Sequence, residues 1–207
     1  MRVTLHTFLT LDGVLQAPGG PGEDDSGGFT HGGWSFPYDD DDFGVAMNGW
    51  FEHADAFLLG RKTYEIFAAF WPQAADEDDP IANKLNVLPK HVASTTLDSV
   101  DWQNSSLLSG DVVSAVAQLK EQPGDELQVH GSGDLAQTLI AHDLVDEYRL
   151  FFYPVHLGSG KKLFADGLKA AALRLVSSST TSTGVIIATY EPAGPVRYGS
   201  FAPDDAS

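Results

Sequence analysis

Two glycine-marked junctions between an apolar run and a helical pattern, about seventy residues apart, constrain this chain more than any other feature. One is Phe57-Leu58-Leu59-Gly60-Arg61-Lys62-Thr63-Tyr64-Glu65, the other Leu127-Gln128-Val129-His130-Gly131-Ser132-Gly133-Asp134-Leu135. In each, a strand-like run stops at glycine and a helix begins at once. Such a turn aims backbone N–H groups and the positive end of a helix dipole at one point beyond a sheet, where a phosphate can sit. Two such points on one sheet suit a dinucleotide.

The rest of the chain supplies the sheet. Residues 2–9 alternate as an opening strand, and Thr10-Leu11-Asp12-Gly13 turns away from it. A long irregular stretch rich in Gly, Pro and Asp runs to about Asp42, and loops of that size are often lids or binding loops. The pattern predicts a helix from Phe43 to about Ala54, a strand at Ala56–Leu59 and a helix over 61–70 closed by Trp71-Pro72. An acidic loop at 74–80 follows, then strands at His91–Thr96 and Ser106–Leu108 and a helix capped by Asp111. Leu127–His130 and Tyr148–Val155 read as buried strands. Leu173–Thr181 and Val185–Glu191 read as a hairpin through Ser182-Thr183-Gly184. Alternating strands and helices with a final hairpin imply an α/β domain: a mainly parallel sheet, helices on both faces and an antiparallel edge. The expectation is one domain over residues 1–192 and a C-terminal tail over 193–207.

Charge narrows the partners. Twenty-nine acidic against twelve basic residues give a net charge of −17, a field that opposes nucleic acid and anionic membranes. The chain has no cysteine, which removes disulfides, thiolate zinc sites and cysteine nucleophiles together. Neither a run of about eighteen apolar residues nor a signal-peptide pattern is present, so a cytoplasmic location is expected. An anionic cofactor must be held against the overall charge by local cations and backbone dipoles.

The candidate residues follow. Arg61 and Lys62 place two cations at a helix start, where the dipole prefers anions, and an anionic ligand is a natural reason for them. Arg61 could equally pair with a surface carboxylate. Gly131-Ser132-Gly133-Asp134-Leu135-Ala136 fits G-x-G-x-x-A, but it sits late in the chain, unlike the opening βαβ unit of a Rossmann fold. Ser94-Thr95-Thr96 lies where ligands gather beyond parallel strands, or is a hydroxyl-rich turn. Trp34 and Trp50 offer flat apolar surfaces to a substrate, or core or dimer contacts. Asp12 reads as a substrate neighbour or as the residue of an Asx-turn. His31 and Asp39–Asp42 lack a metal-loop spacing, so no metal is expected.

Taken in order, these segments resemble the dihydrofolate reductase-like superfamily, in its bacterial branch related to the reductase domain of riboflavin biosynthesis. The likeness rests on the Thr10, Gly60 and His130 motifs with Leu144-Val145-Asp146-Glu147 and Pro154-Val155-His156-Leu157-Gly158-Ser159-Gly160-Lys161-Lys162-Leu163-Phe164. It implies a three-layer fold with about eight strands and NADPH as hydride donor. Gly60, Arg61, Lys62 and Thr63 then meet the cofactor phosphates, and Ser94 and Thr95 lie beside its adenosine half. Gly131, Ser132, Gly133 and Asp134, with Leu135 following, form the loop under the pyrophosphate. Asp12, Trp34 and Trp50 are left to the substrate side, and a homodimer is implied.

The substrate half departs from dihydrofolate reductase: Gly44–Phe51 offers no carboxylate in register, which argues against folate reduction. The resemblance thus implies an NADPH-dependent oxidoreductase reducing a C=N or C=O bond of a small pterin-, pyrimidine- or flavin-related ring. The alternative is a non-catalytic nucleotide-binding or interaction protein on the same scaffold.

Overall fold

A computed structural model describes residues 1–74 and 79–201. Eight strands form one sheet in the order β4-β3-β2-β5-β1-β6-β8-β7. They are β1 (Arg2–Thr10), β2 (Ala54–Gly60), β3 (Lys90–Ala93), β4 (Ser105–Leu107), β5 (Glu126–His130), β6 (Glu147–Tyr153), β7 (Leu173–Thr180) and β8 (Ile186–Pro192). Strands β1 to β6 run parallel, while β8 pairs antiparallel with both β6 and β7. The expected eight-stranded, mainly parallel sheet with a C-terminal hairpin is the observed one. This is a dihydrofolate reductase-like architecture.

Among the described residues five α-helices flank the sheet: α1 (Asp41–Phe51), α2 (Arg61–Phe70), α3 (Pro80–Val87), α4 (Val112–Lys120) and α5 (Gly133–Ala141). The period-two alternation of the strands divides the core between two faces. Val3, Leu5, Leu58, Leu127 and Val129 pack with Val116 of α4 and Leu135 and Leu139 of α5. On the other face Phe57, Leu59 and Val92 pack with Phe51 of α1, Tyr64 of α2 and Leu85 of α3. A third cluster joins Phe151, Tyr153 and Ile187 to Val14, Phe29 and Trp34. The long segment after β1 is therefore largely packed, and its aromatic residues anchor it.

Several expected boundaries move for local reasons. Helix α1 starts two residues earlier than its apolar pattern, because Asp40 caps it by accepting from Phe43 N–H at 2.9 Å, and it stops at Phe51. Helix α3 was not expected. Asp79 caps it, accepting from Ile81 and Ala82 N–H, and Pro80 supplies a helix-ready φ at its first position. Strand β3 ends at Ala93 instead of Thr96, since Ser94 Oγ accepts from Thr96 and Leu97 N–H and turns the chain. The core of the predicted acidic loop, 75–78, and the tail beyond 201 lie outside the described residues. No helix among the described residues is long and apolar enough to cross a membrane.

Candidate active site

The chain runs outward from β2 to β4 and returns to insert β5 between β2 and β1. That return places both glycine junctions on neighbouring strands, with Leu58 opposite Val129. Two hydrogen bonds stitch them together, and a third braces the second turn itself. Gly60 N–H donates to Ser132 Oγ at 2.9 Å, Ser132 Oγ–H donates to His130 O at 2.9 Å, and Ser132 N–H donates to Thr63 Oγ1 at 3.1 Å. Ser132 and Gly131 are both left-handed, at φ 51° and 53°, and among the described residues every peptide bond is trans. Gly133 allows close approach: a Cβ there would meet Leu15 Cδ1 at 3.0 Å.

Helices α2 and α5 begin at these turns, and neither has a side-chain cap. Helices α1, α3 and α4 are each capped by aspartate, from Asp40, Asp79 and Asp111. First-turn N–H groups have no intrahelical partner, so α2 and α5 present donors and positive dipole ends side by side. Both open onto one cleft of about 1340 Å³, lined by Gly60–Thr63, Ala93–Thr96 and His130–Leu135. All the sequence-predicted cofactor residues line it: Gly60, Arg61, Lys62, Thr63, Ser94, Thr95, Gly131, Ser132, Gly133, Asp134 and Leu135. The register explains this, since Gly60 sits opposite Ala93 on β3.

The cations at the rim have protein partners. Arg61 Nη1 lies 3.2 Å from the Glu65 carboxylate one helical turn on. Asp24 bridges Lys62 Nζ at 2.5 Å and Lys161 Nζ at 2.8 Å. Burial pushes the Asp24 carboxyl up, but the two lysines and Ser26 outweigh it and hold the group below the usual carboxylate range. Glu23, beside it on the wall, is raised by burial although Gly19 and Gly20 N–H groups donate to it.

Asp12, Trp34 and Trp50 are placed outside the cleft lining. Asp12 accepts from Thr10 Oγ1–H at 2.5 Å and from the N–H groups of Leu157 and Gly158. These bonds, the threonine's foremost, hold its carboxyl at about 2, and it acts as a tether between two turns. Trp34 is buried, with Nε1–H donating to Gln16 O at 2.8 Å, and packs edge-on against Tyr153. Trp50 covers the sheet beside the cleft, edge-on to His6 at 5.4 Å, with Arg149 Cζ 5.6 Å from its ring centroid. The acidic residues ahead of and within α1 hold the hairpin turn: Asp40 accepts from Ser182 Oγ–H and Thr183 N–H, and Asp42 from Ser182 N–H.

The cleft also contains His6, Thr7 and Phe8 from β1, which the sequence had not singled out, with Leu15–Asp24 from the stretch read as a lid or binding loop and Lys161 from the Pro154–Phe164 motif. Beneath them lies a polar row on one face of the sheet. Arg149 donates to Glu126 at 2.5 and 3.0 Å and to Glu147 at 2.6 Å, all three buried. Gln128 Nε2 donates to Glu126 Oε2 and to Trp50 O, both at 2.7 Å. The available signal was period two: Thr4 and His6, then Glu126, Gln128 and His130, repeat polar side chains on one side of buried strands.

Comparison with known proteins agrees with this geometry. The RibD C-terminal domain family matches residues 1–187. The uncharacterized protein YyaP of Bacillus subtilis (strain 168) is 31% identical over 191 residues, covering 91% of this chain and 94% of that protein. A protein of Shewanella sp. PV-4 described as a riboflavin biosynthesis protein superposes with a TM-score of 0.69 at 23% identity, over 93% of this chain and 99% of that one. A diaminohydroxyphosphoribosylaminopyrimidine deaminase/5-amino-6-(5-phosphoribosylamino)uracil reductase of Thermotoga maritima superposes with a TM-score of 0.59 at 16% identity. It shares 92% of this chain but only 56% of its own length. At these identities the two structures show a common fold.

Proposed function

The chain belongs to the RibD C-terminal domain family, and from that premise we propose that it is an NADPH-dependent reductase of a small nitrogen heterocycle, related to a pterin, pyrimidine or flavin. The observation that carries the reading is the pair of uncapped helix starts on adjacent strands, opening together onto one cleft. The residues fit the cofactor. First-turn N–H groups of α2 and α5 suit a pyrophosphate, and Arg61 and Lys62 can exchange their carboxylate partners for phosphate oxygens. Ser94 and Thr95 extend the same edge toward an adenosine end. NADPH, when bound, supplies the hydride, which would pass to a polarised C=N or C=O carbon.

What the protein contributes is placement and exclusion of water. The glycine turns bring backbone within reach of the phosphates and so fix the distance of the reactive ring from the sheet. Phe8, Phe43, Met47 and Phe51 supply apolar wall beside β1, suited to a flat ring. Leu15–Asp24 lines the cleft, with Asp24 paired to Lys62 of α2 and to Lys161. We assign the working form to a cytoplasmic homodimer, which sedimentation equilibrium tests by returning twice the chain mass.

Titration with NADPH, followed by tryptophan fluorescence, tests the cofactor reading. Saturable binding is expected, with Arg61→Ala weakening NADPH more than NADH. No binding at ~1 mM, equivalent to less than about 4 kcal/mol of affinity, would remove the reading. Binding without oxidation of NADPH across a panel of pterins, flavins and pyrimidines would favour the non-catalytic alternative.

A further inference from the structure

We infer that the arm of the cleft between α1, α2 and α3 is a separate subsite, which takes an uncharged aromatic or aliphatic substituent on the reducible heterocycle and rejects a phosphorylated one. The inference rests on the reductase reading and adds what that substrate carries on its ring. A cleft of about 1340 Å³ exceeds the ~300–1,000 Å³ usual for one ligand, so it has room for a substituted ring beside a cofactor.

The arm is an opening in the core of one sheet face. Phe51 of α1 and Leu85 of α3 belong to that core, are buried, and line the cleft. Met47, Phe67, Trp71 and Ile81 pack against the same cluster, stay partly exposed, and line the cleft as well. Phe70, the last residue of α2, is 58% exposed and stands edge-on to Trp71 with ring centroids 5.1 Å apart. The surface thus runs without a break from Met47 and Phe51, beside the position given to the reducible ring, to Phe70 at the rim. Apolar surface gathered in a concavity is covered most favourably by an apolar group.

Charge decides what kind of substituent fits. Among the described residues lining the cleft, the lysines and arginines are Arg61, Lys62 and Lys161. Arg61 pairs with Glu65, and Asp24 gathers both lysines beside the start of α2. Over its 10 residues α2 climbs about 14 Å from Arg61 to Phe70, beyond the ~8 Å screening length of physiological salt. Helix ends offer an anion nothing in the arm either. Phe51 and Phe70 end α1 and α2, at negative dipole ends, and the start of α3 beside Ile81 is already capped by the Asp79 carboxylate. Lys84 of α3 is engaged by Glu52 O and Ala54 O. A phosphate in the arm would give up water without gaining a cation or an uncapped helix start, so a ring bearing a phosphoribosyl group is disfavoured and one bearing an aryl or alkyl group is taken.

Three probes share one ring and differ in the substituent they present: 6-aminouracil, 6-(benzylamino)uracil and 6-[(4-phosphonobenzyl)amino]uracil. Calorimetric titration with and without NADPH reads their affinities. The benzyl probe is expected to bind at least about tenfold more tightly than 6-aminouracil, the scale of covering one aromatic ring, with a more negative heat-capacity change. The phosphono probe is expected to lose that gain. Phe70→Lys brings a cation to the rim at a helix C-terminus, where the dipole favours it, and its unfolding midpoint checks that the variant is folded. It is expected to weaken the benzyl probe and to tighten the phosphono probe about tenfold, reversing their order. Equal affinity for the benzyl and amino probes, a phosphono probe that matches the benzyl one on the wild-type protein, or an order unchanged in folded Phe70→Lys would overturn the inference. So would failure of the benzyl probe to bind protein that binds NADPH, which leaves the cofactor reading standing. Failure of NADPH to bind, with the benzyl probe still preferred, would remove the cofactor reading and keep the apolar subsite.

Discussion

Ser132 is the side chain through which the two helix starts are tied, and replacing it tests that tie. Its hydroxyl accepts from Gly60 N–H and donates to His130 O, both at 2.9 Å. Ser132→Ala removes both bonds and leaves the partly buried Gly60 N–H without its partner, a cost of about 1–3 kcal/mol. Ser132→Gly loses the same bonds but relieves the left-handed backbone at φ 51°. An L-residue pays about 1–2 kcal/mol for that conformation, and the greater freedom of unfolded glycine takes back about 0.5–1, so glycine should exceed alanine by about 0.5–1 kcal/mol. Urea unfolding at constant m-value measures both differences. The expected stability order is serine, glycine, alanine, with NADPH affinity weakest in the alanine variant because its junction is both unstitched and strained. Alanine as stable as wild type, or glycine less stable than alanine, would refute the role given to this residue.

Two further outcomes follow from the same geometry. His130 is held neutral by burial, then by Arg149, its pKa falling from 6.5 to about 3. Below 6.5 the unfolded chain binds a proton that the folded chain refuses, so stability is full above 6.5 and is lost as pH falls toward 3. Urea midpoints across the upper part of that window, above the carboxylate range, should drop with acidification, and His130→Gln should flatten the slope; an unchanged slope would contradict the assignment. Asp24→Asn releases Lys62 and Lys161 from their shared carboxylate. NADPH should then bind severalfold more tightly with a steeper salt dependence, whereas weaker binding would show that Asp24 positions the lysines for the cofactor.

The sheet and the line of residues along the cleft edge were legible because backbone chemistry fixes them. Leu58-Leu59-Gly60 and Val129-His130-Gly131 announce a strand that stops where a helix starts, and family order supplied their adjacency. Helix α3 was hidden behind an acidic run, although Asp79-Pro80 carried a cap-and-start signal. Asp12 could be read two ways because an aspartate after a strand serves a turn or a ligand equally well; in the structure it accepts from Thr10, Leu157 and Gly158 and ties two turns together. Trp34 and Trp50 were drawn toward the substrate by their flatness, whereas their large apolar area placed them against Tyr153 and Phe151. The buried row from Arg149 to His130 escaped because alternating polar residues usually mark a solvent face. Here α1 covers that face with Trp50, and the row becomes interior.

On the proposed function, the turns after β2 and β5 jointly cradle the bisphosphate bridge of NADPH. A crystal structure of the NADPH complex tests it most directly. The pyrophosphate is expected between Gly60–Thr63 and Gly131–Asp134, within hydrogen-bond distance of first-turn N–H groups of both α2 and α5. Phosphates bound elsewhere, or touching only one of the two helix starts, would contradict it.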